Sequence, residues 1–367
     1  MENLKKITLS LILAFVSFAF WSCEEGEGSS STKPKARGAI GEIVLAIDSA
    51  KWDGPVGEAL REVFQSDVPG LIRGESMFDI RKIDPSAMSR IFKTSTNIIF
   101  VTTFDDKKMG SQNINAIFTK EAKEKAANDP SLYLLRSEDE FAQGQEVIYL
   151  FGNNEPQLVE NILKNKNKLR NLFQVRERER LEKVLMSRKS SEARVASEKL
   201  GLAINAPASY QIVKSEDNFL WLRQPTPNTS RADISLFFYV TDYTSEQQAF
   251  PDSIIALREK ITKKHIFGDP NNQNSYLTIE RVDPSPLFNN FLIKDNFGVE
   301  IRGGWKTNNL SMGGSFLSYV IVDSKRGKLY YMEGFVYYPN EAHREAIREI
   351  ETILLATDLL DEKEKAS

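Results

Sequence analysis

Residues 97–106 read NIIFVTTFDD, and within them Ile98-Ile99-Phe100-Val101 is apolar at four consecutive positions. Successive side chains of a strand point to opposite faces, so a strand apolar at every position must be covered on both faces. The flanking pattern offers that cover. Ile43 to Ile47, Met77 to Ile83 and Glu146 to Phe151 read as further strands, while Val56, Leu60, Val63 and Phe64 fall on one helical face. Asn113 to Asn128 reads as a helix stopped by Asp129-Pro130, and Asn154-Glu155-Pro156 starts another.

From Leu158 to Lys199 there is neither Pro nor Gly, and Val159, Ile162, Leu169, Phe173, Leu181, Val184 and Leu185 keep a helical stripe. Glutamates 177, 179 and 182 interleave with basic residues at helix-pairing distances. The pattern predicts a long charged helix over 154–200, with Ser187 to Ser191 as the place for a bend or break. Beyond it, Tyr210 to Val213, Phe219 to Leu222 and Ile234 to Thr241 read as strands, followed by a helix through Ile254, Leu257 and Ile261 that closes at Lys263-Lys264-His265 with Gly268 beyond. Strands near Leu277 to Val282, Phe297 to Trp305, Phe316 to Val322 and Leu329 to Tyr338 follow, the last two joined as a hairpin, and a final helix carries Ile347, Ile350 and Leu354. The expected fold class is α+β: two α/β sandwich-like halves over 39–153 and 201–360, joined by the long helix, the second with a mainly antiparallel sheet. NIIFVTTFDD with its helix echoes DISLFFYVTDY with its own, an echo that admits duplication of one α+β unit.

Lys5 and Lys6 precede an uncharged apolar run from Ile7 to Trp21, 15 residues long and short of the roughly 20 a spanning helix needs. This is the layout of a secretory signal over residues 1–22. Ser22-Cys23 follows directly and resembles the lipobox of bacterial lipoproteins, in which the cysteine is acylated and becomes the mature N-terminus. That resemblance makes Cys23 the lipidation site. Residues 23–38, acidic and then Ser-, Lys- and Pro-bearing, are expected to form a disordered tether, and 361–367 a disordered tail. The tether would span roughly 20 Å as a flexible coil. Since Cys23 is the only cysteine, the mature body would hold no disulfide, no thiolate metal site and no cysteine nucleophile.

The acidic start, the two α+β halves, and RGGWK followed by SMGGSFLSYVIVD resemble a Bacteroidetes lipoprotein family of unknown function. The resemblance implies a place in the cell envelope as an outer-membrane lipoprotein, periplasmic or surface-facing, and no chemistry. The element order of the second half is similar to the PsbP-type α/β/α sandwich.

Chemistry is sparse. The two histidines restrict general-base options: His265 sits among lysines at a helix end, a dipole-compensating place, and His343 lies in the first turn of the last helix after Asn340, facing solvent. The serine elbow, zincin, EF-hand, P-loop and dinucleotide patterns are absent, so neither cofactor nor metal is expected. Asp105-Asp106 and Asp242 end matching strands, where they read as turn residues or as the acids of a carboxylate-dependent hydrolase acting on glycans. Residues 164–199 hold 12 Lys and Arg against 5 Glu. On an exported chain that excess reads as a solvated or lipid-facing helix, with no nucleic acid as partner. Arg302, Gly303, Gly304, Trp305 and Lys306 form the candidate binding edge, with Trp305 as a stacking surface and Arg302 gripping an anion, while the same pattern fits a hairpin with a twisted, bulged loop whose Trp packs into the core. The expected function is a non-catalytic binding or scaffold protein, held to the membrane by its N-terminal lipid and engaging another envelope protein or a glycan.

Overall fold

The structure, a computed structural model, describes residues 33–360 apart from 225, 227–230, 270–271 and 294. The signal segment, Cys23 and the expected tail lie outside the described residues. Of the tether, residues 33–38 are described, and they are clipped to the body rather than free. Gln143 N–H donates to Pro34 O, Ala36 N–H to Gln143 O, Arg37 N–H to Thr94 O and Thr96 N–H to Arg37 O. Backbone pairing to a strand end needs no apolar side chain, so composition could not signal it.

The first half is built on a five-stranded sheet of β1 (Glu42–Ala46), β2 (Asp79–Ile83), β3 (Asn97–Thr103), β4 (Leu134–Glu138) and β5 (Glu146–Gly152), in the order β2-β1-β3-β5-β4. All neighbours are parallel except the edge strand β4. β3 is buried at every position, as its apolar run requires. On one face, Ile43, Leu45, Ile99, Val101, Ile148 and Leu150 pack under α1 (Pro55–Phe64). The other face, with Val44, Ile98, Phe100, Val147 and Tyr149, is covered by α2 (Met109–Asn115) and α3 (Lys120–Asn128) through Ile114, Phe118 and Ala126. Each fully buried Val, Leu or Phe contributes about 1.5–3 kcal/mol. The helix expected over 113–128 is therefore two, because Thr119 starts a new one by accepting from Ala122 N–H.

The segment 154–200 is not a free-standing linker helix. It is α4 (Glu155–Lys164), α5 (Lys166–Leu185) and α6 (Ser191–Glu198), broken at Asn165 and across 186–190. Leu158, Ile162, Leu169 and Phe173 belong to the core of the first half. Arg170 adds hydrogen bonds from its Nε and Nη2 to Val63 O and Glu62 O, both 2.7 Å. Apolar and polar anchors together hold α4 and the first turns of α5 against the first half. Among the described residues no helix is long and apolar enough to cross a membrane.

The second half holds a large antiparallel sheet: β7 (Gln211–Glu216), β8 (Phe219–Gln224), β9 (Asp233–Asp242), β10 (Phe267–Asp269), β11 (Asn272–Ile279), β12 (Leu287–Ile293), β13 (Asn296–Thr307), β14 (Gly313–Asp323) and β15 (Lys328–Tyr337). Its order is β10-β11-β13-β14-β15-β9-β8-β7, with β12 also on β13. β6 (Leu202–Ala203) and β16 (Asp358–Leu359) form a separate short pair. α7 (Pro251–His265) covers one face through Ile254 and Ile261, and α6 with α8 (Arg344–Leu355) covers the other through Ala193, Ile347, Ile350 and Leu354. The fold is α+β, with an α/β first half and a curled antiparallel second half. Parallel strand order in one and antiparallel order in the other show that the sequence echo reflects strand-then-helix succession, not a shared topology.

A loop between α1 and β2 locks the halves together. Leu71 is buried in the second half's core. Glu75 accepts from the backbone N–H groups of His343 and Arg344, both at 2.8 Å, and so caps α8 from the other half. Arg344 returns to Asp79 at 2.5 Å and to Ser76 O at 2.7 Å, and Arg348 donates to Met77 O while lying over the Phe78 ring.

Candidate functional site

Within the expected binding edge at 302–306 the tryptophan is part of the core and offers no stacking surface. Trp305 is 3% exposed, meets Phe335 edge to face at 5.3 Å, and donates from Nε1 to Val336 O at 3.0 Å. Aromatic area this large is worth more inside than at an edge. Gly303 and Gly304 are buried within an unbroken β13–β14 register that runs from Phe297 to Lys306. The glycines serve close approach instead of a bulge: a Cβ on Gly314, which faces Trp305, would lie 1.9 Å from Val336 O. Lys306 bonds Glu280 at 2.7 Å, and that hydrogen bond holds the Glu280 carboxyl at about 2.

Arg302, of the five, lines a cavity. A cleft of about 320 Å³ lies between the halves, with α5 as one wall and β13 and α8 as the other. Arg302 spans Glu300 at 2.9 Å and Glu351 at 3.0 Å, and Tyr319 OH donates to Glu300 at 3.1 Å. Burial pushes the Glu300 carboxyl up, but the hydrogen bond and charge of Arg302 outweigh it and hold it below the usual range. The same two carboxylates outweigh burial at Arg302 and raise its guanidinium further. Gly70, at φ +76°, brings the interdomain loop against this arginine, where a Cβ would lie 2.5 Å from that of Arg302. On the α5 wall Asn171, Gln174 and Arg178 follow one helical stripe. Glu177 is buried there, accepting from Asn97 Nδ2 at 2.5 Å and pairing Arg180 at 3.2 Å. Arg178 is half-buried and has no hydrogen-bond or ion-pair partner among the described residues. Ile40, Val68, Met77, Leu181 and Ile347 supply apolar lining.

The acids considered for hydrolysis are placed apart. Asp105 is exposed beyond β3, and Asp242 ends β9 of the other sheet, pairing Lys328 at 2.7 Å. Asp106 is no plain turn residue: it pairs the buried Lys51, which also reaches Glu155 at 3.2 Å, and it accepts from Ser111 Oγ at 2.7 Å. Burial pushes its carboxyl up, but Lys51 and the other donors bring it down to about 2. A carboxyl fixed in its ionised form is a poor general acid near neutral pH. Both histidines are buried, His343 against the sequence expectation. Ser315 Oγ lies 3.0 Å from His343 Nδ1 and Tyr338 O lies 3.0 Å from its Nε2. Burial lowers its pKa, and it does the same for His265, which stacks on Phe219 at 4.1 Å. Among the described residues no group of His, Cys, Asp and Glu is disposed to hold a metal ion. Glu75, Arg178 and Glu351 were missed by sequence reasoning, since each reads as an ordinary helix-face or loop charge.

Residues 36–186 match a domain of unknown function (DUF8532), and residues 189–356 match another (DUF4837). The chain thus joins two domains of unknown function. The junction between the matches falls in the turn between α5 and α6, so α4 and α5 go with the first half in sequence as they do in packing. No curated protein matches the chain in sequence. Among solved structures, the Saccharomyces cerevisiae Ran-binding protein Mog1p is similar over 44% of this chain and 92% of its own, at 6% identity and TM-score 0.30. A structure from Bacteroides thetaiotaomicron is similar over 45% and 47%, at 8% identity and TM-score 0.21. Likeness at this level carries no functional argument.

Proposed function

We propose that the chain is an outer-membrane lipoprotein of the cell envelope, held by acyl chains on Cys23, that works by binding within the cleft between its halves rather than by turnover. The observation that carries the binding role is the cleft itself. It is walled by both halves, its carboxylates and most of its arginines are fixed in ion pairs, and one cation, Arg178, has no partner among the described residues. Concave, partly apolar sites with a few oriented polar groups are where ligands of modest size bind. The cleft carboxyl with a resolved shift, Glu300, is held low, the opposite of what proton donation at neutral pH asks.

Two measurements test this. Cells fed labelled palmitate should place label on the wild-type chain and none on Cys23→Ala, which should leave the membrane fraction; an unlabelled, cytosolic wild-type chain would overturn the anchor. The full chain immobilised and washed with envelope extract should retain a ligand that Asn171→Trp, which blocks the cleft mouth, does not. Equal retention by both would place binding elsewhere.

A further inference from the structure

Taken with their ion-pair partners, the charges of the cleft cancel overall but not wall by wall. Arg344 and Arg348 are balanced by Asp79 and Glu345, and Glu177 by Arg180. On the wall of β13 and α8, a single guanidinium, Arg302, serves two carboxylates, Glu300 and Glu351, leaving one negative charge in excess. The α5 wall carries Arg178, without a hydrogen-bond or ion-pair partner among the described residues, with Asn171 two turns earlier on the same stripe. Arg178 makes no ion pair with Glu300 or Glu351, though all three line one cavity. Val68, Met77, Leu181 and Ile347 line the same cavity.

Opposite excess charges on facing walls of one partly aliphatic cavity select a ligand of one shape. We propose that the cleft takes a small zwitterion with an apolar side chain, of the amino-acid or dipeptide class, its carboxylate on Arg178 and its ammonium on the Glu300–Glu351 pair. The assignment rests on the cleft-binding reading above. A simple anion would satisfy Arg178 but face the acidic wall, and a neutral sugar would leave both poles desolvated and unpaired, which costs more than it gains. At about 320 Å³ the cleft stands at the small end of ligand sites, which suits one or two residues and not a folded partner. Arg is suited to a carboxylate because its planar fork donates two parallel hydrogen bonds.

Isothermal titration of the full-length Cys23→Ala chain in detergent with leucyl-leucine should give saturable binding. N-acetyl-leucine, which lacks the ammonium, and leucinamide, which lacks the carboxylate, should each bind at least about tenfold more weakly, as loss of one charged hydrogen-bonding partner predicts. Arg178→Gln should weaken leucyl-leucine by a similar factor, with partial retention in Arg178→Lys. Arg178 has no partner among the described residues, so the thermal midpoint of Arg178→Gln should match the parent and keep a loss of binding separate from a loss of fold. Equal binding of N-acetyl-leucine, tighter binding of inorganic phosphate, or full affinity in Arg178→Gln would overturn the zwitterion. No heat with leucyl-leucine up to about 10 mM, combined with ligand retention that Asn171→Trp still abolishes, would overturn the ligand class and leave the cleft reading standing.

Discussion

His343 shows how burial turns a residue expected at the surface into a pH-sensitive part of the core. Its ring lies between Ser315 and Tyr338 O, with the Glu75 carboxylate and the Arg73 guanidinium as its charged neighbours. In the unfolded chain it takes a proton near pH 6.5, and in the folded chain only at lower pH. Over that window the unfolded state binds more protons, so stability rises with pH. The contribution is whole above about pH 6.5 and drains as pH falls below it. His265 acts in the same sense, while Asp79 and Asp106, whose carboxyls Arg344 and Lys51 hold low, lose their share only below about pH 4. Glu349, pushed up by burial, works in the opposite sense above about pH 4.5. Denaturation midpoints should therefore fall between pH 7 and 5.5, and fall less steeply in His343→Gln; parallel slopes would contradict the assignment. At this scale the sequence was legible for apolar runs and opaque for polar neighbours. Trp305 in RGGWK looks the same as core or as recognition surface, and only the chain passing behind it at Val336 settles which.

Among the elements, those read most accurately bury both faces or one clean stripe. β3 occupies the residues expected, and Val56, Leu60, Val63 and Phe64 are all buried in α1. β4 and β12 were missed because both lie at sheet edges, where LLRSE and LFNNFLI mix polar and apolar side chains without a strict alternation. The N-terminus of α8 was misplaced for a different reason. Its cap is supplied by Glu75, 268 residues away in sequence, so local pattern could not show it. Removing that cap should be costly. Glu75→Ala is expected to lower stability by about 1–2 kcal/mol in urea denaturation, with faster hydrogen exchange at the start of α8; an unchanged denaturation curve would mean that the backbone N–H groups find water at no loss.

For the whole molecule, the cleft exists because the halves are held at a fixed angle by contacts absent from the covalent linker. Leu71 in the second core, Glu75 on α8 and the returning Arg344 and Arg348 make a two-way clasp. None of this was visible in the sequence, where Arg178 and Glu351 belong to separate charged helices and nothing marks them as facing walls. A protease site inserted at the exposed turn between Ser187 and Arg188 should permit cleavage without separation. The cut fragments should co-elute in size exclusion at physiological salt, and release each other once Glu75→Ala and Arg344→Ala are combined. Spontaneous separation of the cut parent would show that the linker, not the clasp, sets the geometry.

The clip at residues 34–37 also decides how the body responds to a pull from its N-terminus. Four backbone hydrogen bonds hold it to the ends of the first sheet, and the Lys33 ammonium adds one to Asp139 O. Under load they would part before any strand does, paying out residues 33–38 as roughly 20 Å of slack and leaving both cores closed. Tension on the N-terminal segment would thus be absorbed by a short reversible extension, with the cleft keeping its shape.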